Sequence, residues 1–264
     1  MAYLTVFGCS PPEMTYIAAR TGYDFVSFRP IPLGTPNEPK YLLAEDKALL
    51  KDTKAALGET GIRLLDVELA RIYDGVDLQS YIPAMEAAAE LGGRHIITSG
   101  WSNERNFLVD SYAELCEMAK PYGLTVDFEF VYWSSVPTIG EALDIIRSAN
   151  SDNAGLLIDT LHWYAVGGNL DELDAVSDEW LHFTHINDAP TELPTTQEEW
   201  IRIGREQRLY IGEGGVDLRG LVQRLPEIPY SIEIPNLRRA QELGYEEYAR
   251  RCLRTAKAVI DQQQ

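Results

Sequence analysis

Residues 125–162 read TVDFEFVYWSSVPTIGEALDIIRSANSDNAGLLIDTLH, and this stretch decides the class of fold. It begins with a run of β-branched and aromatic residues, Thr125–Val131, and continues into a helical pattern over Thr138–Ala149. A second apolar run, Gly155–Asp159, then follows. Runs that are apolar on both faces are typical of buried parallel strands. The stretch therefore predicts one strand–helix–strand unit of an α/β protein.

The same alternation of short apolar runs and longer helical patterns extends along all 264 residues. Eight parallel strands and eight helices predict a closed (β/α)8 TIM barrel, which typically needs about 250 residues. Because no linker or change of composition interrupts the pattern, we expect residues 1–264 to form a single TIM-barrel domain. The predicted strands are Tyr3–Cys9, Phe25–Arg29, Leu64–Leu69, His95–Ser99, Thr125–Val131, Gly155–Asp159, Leu181–Ile186 and Tyr230–Ile234. The predicted helices are Pro11–Arg20, Ala44–Thr60, Leu78–Leu91, Ser111–Pro121, Thr138–Ala149, Asn169–Val176, Leu218–Leu225 and Gly244–Gln264.

A doubly wound open sheet is the alternative fold. Sheets of that kind often bind phosphates through a GxGxxG motif at the first strand–helix turn. Here that turn, residues 8–12, reads GCSPP. The segment from Asn187 to Asp217 also departs from the short-loop pattern, and it leaves the predicted seventh strand at the end where a barrel holds its active site. We expect this segment to form a lid or a wall of the site.

Composition and charge narrow the class of protein. The formal net charge is −18 and the pI is about 4.6, and such an acidic surface repels nucleic-acid phosphates and anionic lipids. Three scattered cysteines, Cys9, Cys116 and Cys252, form neither a disulfide framework nor a CxxC pair. The first residues lack the pattern of a signal peptide, and no run of about 18 apolar residues occurs. We therefore expect a cytoplasmic protein without nucleic-acid or membrane partners.

Four late strands end in residues that can bind a metal ion: Glu129, Asp159, His185 and Glu233. The C-terminal ends of barrel strands meet around one mouth, so we expect these side chains to converge. A single carboxylate at a strand end is more often a cap or an ion-pair partner, but several converging carboxylates without a cation would repel one another. Three carboxylates and one imidazole suit Mn²⁺, Mg²⁺, Co²⁺ or Fe²⁺ better than an ion that prefers thiolates.

On these residues the chain resembles the xylose-isomerase-like barrel superfamily. The resemblance is to its branch of sugar isomerases and epimerases, which also includes inosose and dehydroshikimate dehydratases. It covers nearly the whole chain and is strongest from Thr125 to Asn236. The motifs together are specific for the superfamily but not for one member. The matching positions are Glu129, Asp159 with His162, His185-Ile186-Asn187-Asp188, Gly212-Glu213-Gly214 with Asp217, and Glu233.

The resemblance implies a role for each matching residue. Glu129 and Glu233 would act as acid and base on either side of the substrate. His162 would hydrogen-bond a substrate oxygen, Arg208 would contact the substrate, and Asp188 would assist from behind the site. The expected cofactor is one divalent ion per chain, with Mn²⁺ as the first expectation and Mg²⁺, Co²⁺ and Fe²⁺ as alternatives. Its implied ligands are Glu129, Asp159, His185 and Glu233.

Aromatic and basic residues near the same strand ends are expected to shape a substrate pocket. Trp101 and Trp133 are the predicted substrate-binding aromatic residues, although ordinary packing would also place them there. Arg29 and Arg71 follow the second and third predicted strands, where they could clamp a substrate carboxylate or form surface ion pairs. Two further aromatic residues at the mouth are Phe7 and Tyr164.

A metal ion and two glutamates together predict chemistry through an enediolate. One glutamate would remove a C–H proton beside a carbonyl, the metal would stabilise the enediolate, and the second glutamate would return the proton. We expect a metal-dependent isomerase or epimerase in carbohydrate metabolism, acting on a sugar-like polyhydroxy ketone or aldehyde. The alternative is a lyase that dehydrates a cyclic keto-polyol or a dehydroshikimate-like acid, because loss of a β-hydroxyl starts from the same intermediate.

Two further classes of protein are disfavoured. An endonuclease for abasic DNA would need a basic surface and more metal ligands than the four histidines here allow. A non-catalytic binding protein on a barrel scaffold remains conceivable because fold does not fix function, but it would not need both glutamates. The substrate and assembly into a homo-oligomer stay open.

Overall fold

The computed structural model describes residues 1–34 and 38–260 of the chain. Its centre is a parallel sheet of seven strands, which neighbour one another in chain order. Helices surround this sheet, which is nearly closed into a barrel, so the predicted TIM-barrel fold is confirmed. The strands are β1 Phe25–Phe28, β2 Arg63–Ile72, β3 His95–Gly100, β4 Thr125–Glu129, β5 Ala154–Asp159, β6 Thr184–Ile186 and β7 Tyr230–Ile232.

Local sequence signals set the ends of several helices. The first helix begins after Ser10, whose side chain forms a capping box with Glu13, and it ends at Gly22, which has a φ of +92°. None of the helices in the described part of the chain is long and apolar enough to cross a membrane. The helices are α1 Pro11–Thr21, α2 Lys47–Thr60, α3 Ile82–Glu90, α4 Arg105–Ala119, α5 Ile139–Ala149, α6 Thr160–Ala165, α7 Gln197–Glu206, α8 Leu218–Arg224, α9 Leu237–Leu243 and α10 Tyr245–Ile260.

The predicted first strand, Tyr3–Cys9, is wrong, because the structure has a 3-10 helix at Tyr3–Val6. The reason lies in the neighbouring strand. Ile232 is the last residue of β7, and its carbonyl accepts hydrogen bonds from the backbone nitrogen of Ala2 at 3.0 Å and from the hydroxyl of Thr5 at 2.8 Å. The next backbone nitrogen after β7, that of Glu233, donates to the carbonyl of Ile186 instead. The segment after Ala2 therefore satisfies its backbone locally, as in the hydrogen bond from the backbone nitrogen of Thr5 to the carbonyl of Ala2 at 3.2 Å.

The first two residues close the barrel where an eighth strand was expected. The carbonyl of Met1 accepts a hydrogen bond from the backbone nitrogen of Ser27 in β1 at 3.0 Å. On the other side, Ala2 donates to Ile232 of β7. This short bridge joins the first and last strands, and it brings β7 into the ring of strands that surrounds the site.

Two predicted helices differ in type from the observed elements. The segment Asn169–Val176 forms a 3-10 helix at Leu170–Ala175, in which only Leu173 is buried. One apolar contact gives little support to a full α-helix, since helices of this length depend on tertiary packing. The predicted helix Leu78–Leu91 begins with a 3-10 turn at Leu78–Tyr81 and becomes α-helical afterwards.

Three helices were not predicted: α6, α7 and α9. The most important is α7, because it lies within the long segment between Asn187 and Asp217. It begins after Thr196, whose hydroxyl accepts a hydrogen bond from the backbone nitrogen of Glu199 at 3.3 Å. Its buried face carries Trp200 and packs toward the mouth of the barrel. The last predicted helix is observed as α10, and its predicted final residues, 261–264, lie outside the described residues.

The inside of the barrel has its own small apolar layer. Leu65, Ile97, Leu157 and Phe183 form a buried cluster separate from the larger core between strands and helices. Leu157 and Asp159 lie two residues apart on β5 and therefore share a face. The apolar layer thus lies directly beneath the strand ends that carry the candidate site. The three cysteines, Cys9, Cys116 and Cys252, are buried and free.

Candidate metal and active site

Four side chains converge at the C-terminal ends of β4 to β7. Glu129 and Asp159 are the last residues of β4 and β5, His185 lies in β6, and Glu233 follows β7 directly. One candidate ligand atom from each residue lies within 4.8 Å of the others, and all four residues are buried. These are the four residues that sequence reasoning nominated as metal ligands.

His185 supplies the test of whether a cation fits this cluster. Its Nδ1 lies 3.8 Å from Glu129 Oε1, 3.9 Å from Asp159 Oδ2 and 3.5 Å from Glu233 Oε2. These separations are too long for hydrogen bonds, but ligand atoms about 2.0–2.3 Å from a shared ion lie roughly 3–4.5 Å apart. Among the described residues, neither ring nitrogen of His185 has a hydrogen-bond partner. A buried imidazole without partners is costly, so the donor set fits a metal ion.

The charges of the cluster point to a divalent ion. Arg208 Nη1 lies 2.5 Å from Asp159 Oδ2 and 2.9 Å from Glu233 Oε2. One guanidinium therefore faces three carboxylates, which leaves two negative charges without a compensating cation. Burial opposes the charged imidazole, but the carboxylates of Glu233 and Glu129 outweigh it and raise the pKa of His185 well above its ordinary value. A divalent ion would replace that proton and balance the remaining charge.

The two glutamates of the cluster differ in their electrostatic surroundings. Burial raises the pKa of Glu129, and the nearby carboxylate of Glu233 adds to the increase. Burial alone would also raise the pKa of Glu233, but His185 and Arg208 hold it well below its usual range. Environments that separate the pKa values of two carboxyl groups are typical of acid–base pairs.

Hydrogen bonds orient Asp159 within the cluster. Its Oδ1 accepts from the backbone nitrogen of Leu161 at 2.8 Å and from Asn187 Nδ2 at 3.0 Å, and its Oδ2 faces Arg208. Because Asp159 also caps the N-terminus of α6, the same residue fixes the start of the helix that carries His162.

His162 is held in its neutral form. It is buried in α6, and this burial lowers its pKa to about 4. The backbone nitrogen of Tyr132 donates to His162 Nδ1 at 3.4 Å, so the ring proton belongs on Nε2. The ring of Trp133 meets the imidazole edge to face, with the centroids 4.6 Å apart. His162 lines the cavity beside it, and its Nε2–H is the group that can donate a hydrogen bond there.

A cavity of about 490 Å³ opens above the cluster. Both predicted substrate-binding tryptophans line it, as do both glutamates of the cluster, whereas Tyr164 instead packs against Trp200. Residues 204–206 of α7 also line the cavity, so the long segment after β6 contributes a wall of the site. The residues that carry most of the lining chemistry are Arg29, Glu68, Arg71, Trp101, Glu129, Trp133, His162, Arg208 and Glu233, with Phe7 at the rim.

Sequence reasoning missed Glu68, which lies on β2 and lines the cavity. Its Oε2 lies 3.2 Å from Arg29 Nη2, and both side chains are buried. Arg29 was expected to clamp a substrate carboxylate or to form a surface ion pair, and the structure gives it a buried ion pair. Arg71 donates to the carbonyl of Leu33 at 3.1 Å and reaches the cavity. The rule that located Glu129, a carboxylate near the end of a strand, would also have located Glu68.

Asp188 lies behind the site and organises a loop. Its carboxylate accepts hydrogen bonds from the backbone nitrogens of Gly212, Gly214, Val216 and Ala189, at 2.9–3.1 Å. A side chain at Gly214 would collide with Asp188 and the carbonyl of Ala189, so the turn needs glycine there. Asp188 does not line the cavity, and its contacts are those of a positioning residue.

Comparison with curated proteins finds inosose isomerases. The chain is 28% identical to the inosose isomerase of Bacillus licheniformis over 191 residues, which cover 68% of this chain and 66% of that protein. It is 28% identical to the inosose isomerase of Bacillus subtilis over 186 residues, which cover 66% of this chain and 63% of that protein. These alignments span just under two thirds of the relatives' own lengths. A 3-dehydroshikimate dehydratase of Pseudomonas aeruginosa is 32% identical over 138 residues, or 50% of this chain and 21% of that protein.

Solved structures share the fold over nearly the whole chain. The IolI protein with a bound zinc atom has a TM-score of 0.81 at 20% identity, over 99% of this chain and 97% of that one. A D-allulose 3-epimerase from Methylomonas sp. in complex with D-allulose has a TM-score of 0.70 at 20% identity, over 98% of this chain and 95% of that one. At such identities the likeness shows the fold alone.

The family of the chain follows from a match over most of its length. A family model described as a xylose isomerase-like TIM barrel matches residues 16–256. This match confirms the resemblance inferred from the motifs on β4 to β7, and it agrees with the inosose isomerase and dehydroshikimate dehydratase relatives. The chain belongs to the xylose isomerase-like TIM barrel family.

Proposed function

We propose that this chain is a divalent-metal-dependent isomerase or epimerase that acts on a sugar-like polyhydroxy ketone or aldehyde. The observation that carries the proposal is the convergence of Glu129 and Glu233 on one cavity, beside the imidazole of His185, which has no hydrogen-bond partner within residues 1–34 and 38–260. The inosose isomerase relatives support the same class of reaction and a small polyhydroxy substrate.

Glu129, Asp159, His185 and Glu233 would hold the ion. When bound, it would act as a Lewis acid toward the substrate carbonyl. Three oxygen donors and one nitrogen suit Mn²⁺, with Mg²⁺, Co²⁺ and Fe²⁺ as alternatives. The IolI structure, which has the same fold, contains a bound zinc atom, and Zn²⁺ therefore belongs in any metal screen.

The two glutamates would move the proton. One carboxylate removes the proton from the carbon beside the carbonyl, which leaves an enediolate, and the other glutamate supplies a proton. Return to the same carbon from the opposite face gives the epimer, and return to the neighbouring carbon gives the isomer. The Nε2–H of His162 would donate to a substrate oxygen, and Arg208 would hold a second oxygen while it stays paired with Asp159.

The shape of the cavity supports a substrate of sugar size. Its volume of about 490 Å³ lies within the range of small-molecule sites. Trp101 and Trp133 offer apolar faces to the carbon skeleton, while the buried carboxylates and guanidinium offer partners to hydroxyl groups. Such a mixture of apolar walls with a few fixed polar groups is typical of specific ligand pockets.

A dehydratase is the second candidate, and two observations favour it. The 3-dehydroshikimate dehydratase of Pseudomonas aeruginosa is among the relatives, and the cavity contains Arg29 and Arg71, which could pair with a substrate carboxylate. Loss of a β-hydroxyl as water from the enediolate would then replace return of the proton to carbon.

The experiment is a substrate screen with chelator-treated protein, with and without added Mn²⁺. The panel contains inososes, ketoses and 3-dehydroshikimate, and products are identified by NMR in D₂O. We expect Mn²⁺-dependent exchange of the C–H proton beside a carbonyl, followed by an epimer or isomer. Formation of a dehydrated product would select the second candidate, and reaction of no panel member by metal-loaded protein would count against both.

Variants test the roles of the two glutamates. Glu129→Gln and Glu233→Gln should each lower kcat by about 10²–10⁴-fold, which is the usual contribution of a general acid or base. Glu114→Gln, at an exposed position on α4, is the matched control and should leave turnover unchanged. Near-normal turnover by either cluster variant, with the metal still bound, would refute the assignment.

A further inference from the structure

A second group of potential metal ligands lies at the opposite end of the barrel. We call it the lower cluster: His95, the first residue of β3, Asp127 in β4, and His182, which precedes β6. One candidate ligand atom from each residue lies within 4.8 Å of the others. Asp127 lies two residues before Glu129 on the same face of β4, toward the N-terminal end of the barrel. The lower cluster is therefore separate from the cavity.

An aromatic ring separates the two groups of ligands. The ring of Phe183 lies 5.1 Å from that of His95 on one side and 5.8 Å from that of His185 on the other, measured between centroids. Phe183 belongs to the apolar layer inside the barrel. An ion bound by the lower cluster would consequently share no ligand with the upper cluster of Glu129, Asp159, His185 and Glu233, and it would not touch a substrate in the cavity.

The carboxylate of Asp127 is completely buried and is paired only with neutral or titratable groups. Its Oδ1 lies 2.7 Å from His182 Nδ1, and its Oδ2 accepts from the hydroxyl of Thr125 at 2.7 Å. His95 Nδ1 lies 2.7 Å from the hydroxyl of Thr125 and 3.6 Å from Oδ2 of Asp127. In the described part of the chain, no lysine or arginine forms an ion pair with Asp127. A buried carboxylate needs a cation or a protonated partner to offset its desolvation.

The side chains of the lower cluster fill the space beside a glycine and can be reached from outside. Gly155 faces Asp127 in the register of β4 and β5, and a Cβ at Gly155 would lie 2.5 Å from His182 Nδ1 and would collide with Asp127. The side chains of His95 and His182 are 11% and 22% exposed, whereas that of Asp127 is 0% exposed. The cluster can thus be reached from the lower end of the barrel.

We propose that His95, Asp127 and His182 bind a second divalent ion of the Zn²⁺ type. Two imidazoles and one carboxylate suit Zn²⁺ or Co²⁺, and the hydroxyl of Thr125 or a water molecule would complete a tetrahedral site. The ion would tie β3, β4 and the start of β6 together at the N-terminal end of the barrel, which in this fold serves stability rather than catalysis. The proposal does not depend on the reaction proposed for the cavity.

Binding requires one local rearrangement. The rings of His95 and His182 are stacked, with centroids 5.4 Å apart and an angle of 17° between the planes. Stacked rings cannot both direct a nitrogen lone pair at one ion, so the more exposed ring, His182, must turn. The coordinating nitrogen of His182 must also move away from Asp127. Two ligand atoms of a tetrahedral ion with bonds near 2 Å lie roughly 3.3 Å apart, which is longer than the present hydrogen bond.

The experiment counts tightly bound Zn²⁺ per chain. Chelator-treated protein is equilibrated with Zn²⁺, freed of loose ion by gel filtration and analysed by mass spectrometry for metal. We expect about two ions per chain for the wild type, about one for His182→Gln, about one for the upper-cluster variant His185→Gln, and none for the double variant. Replacing a residue that only hydrogen-bonds a metal ligand typically lowers metal affinity by roughly 10–100-fold. Because His182 would itself be a ligand, its loss should lower the zinc affinity of the lower cluster by more than that.

An equal zinc count for wild type and His182→Gln would overturn the proposal. If His182→Gln does not fold by circular dichroism, His95→Gln takes its place. Zinc-edge anomalous diffraction from wild-type crystals gives an independent answer, since the proposal requires a peak between His95, Asp127 and His182 and fails without it. Failure of the function proposed for the cavity would leave this peak in place, so the two proposals fail separately.

Discussion

Replacement of His162 by glutamine tests whether burial in α6 keeps this imidazole neutral. Its pKa falls from an ordinary 6.5 to about 4 in the folded protein. Between pH 6.5 and pH 4 this imidazole is protonated in the unfolded chain but neutral in the folded protein. The contribution of His162 to the free energy of unfolding is therefore fully present above pH 6.5 and is lost as the pH falls toward 4. At about 1.36 kcal/mol per unit of pKa difference, the loss reaches about 2–3 kcal/mol near pH 4.5. Glutamine cannot take up a proton, so His162→Gln lacks this contribution.

The assay is urea unfolding followed by circular dichroism, at about pH 7.5 and about pH 4.5, with chelator present. The free energy of unfolding of the wild type, measured relative to His162→Gln, should fall by about 2–3 kcal/mol between the two conditions. Trp163→Phe is the matched control, because Trp163 is buried in the same helix and does not titrate. Its stability difference from wild type should be the same at both pH values. A difference between wild type and His162→Gln that does not change with pH would refute the reasoning.

Two further variants probe the walls of the site. Gly204→Ala in α7 would place a Cβ in collision with the ring of Trp133, and displacement of that ring should raise KM several-fold and cost about 1–3 kcal/mol of stability. The control Gly58→Ala changes a helical position with open space and should stabilise by up to about 1 kcal/mol while leaving KM unchanged. Equal effects of the two glycine variants would contradict the packing argument. Asp188→Asn turns the amide nitrogen of the new side chain toward two backbone N–H groups, which should lower the free energy of unfolding by about 2–4 kcal/mol. Backbone hydrogen exchange in residues 212–216 should become faster, and unchanged exchange there would show that Asp188 does not hold the loop.

The fold could be predicted because its main signal is local. Apolar runs such as Gly155–Asp159 alternate with helical patterns such as Thr138–Ala149, and a strand or a helix with the right period carries that information in its own residues. The predicted strands on β4 to β7 needed only adjustments at their ends. The identity of the four converging residues followed for the same reason, since parallel strands bring their C-terminal ends to one edge.

The errors occurred where a partner distant in the sequence decides the local structure. Tyr3–Val6 is as apolar as a strand, but it forms a 3-10 helix because the strand ladder does not continue past Ile232 of β7. The next backbone nitrogens donate elsewhere, that of Glu233 to the carbonyl of Ile186 and that of Ile234 to the hydroxyl of Thr5. Leu170–Ala175 has a helical pattern, but it lacks the buried face that would stabilise an α-helix. Hydrogen-bond ladders and buried faces are properties of pairs of segments, and one segment alone does not encode them.

The sequence alone thus determined the alternating architecture and the residues at the strand ends, because both depend on periodicity and on position within a strand. Only the tertiary structure decided which charged side chains form ion pairs or lie within contact of one another. It paired Arg208 with Asp159 and Glu233, gave the carboxylate of Asp188 its backbone partners in residues 212–216, and brought His95 to Asp127 and His182 at the other end of the barrel. The physical reason is that an ion pair or a metal site depends on distances of a few ångströms between side chains. Closure of the barrel sets those distances for residues that lie tens of positions apart in the chain.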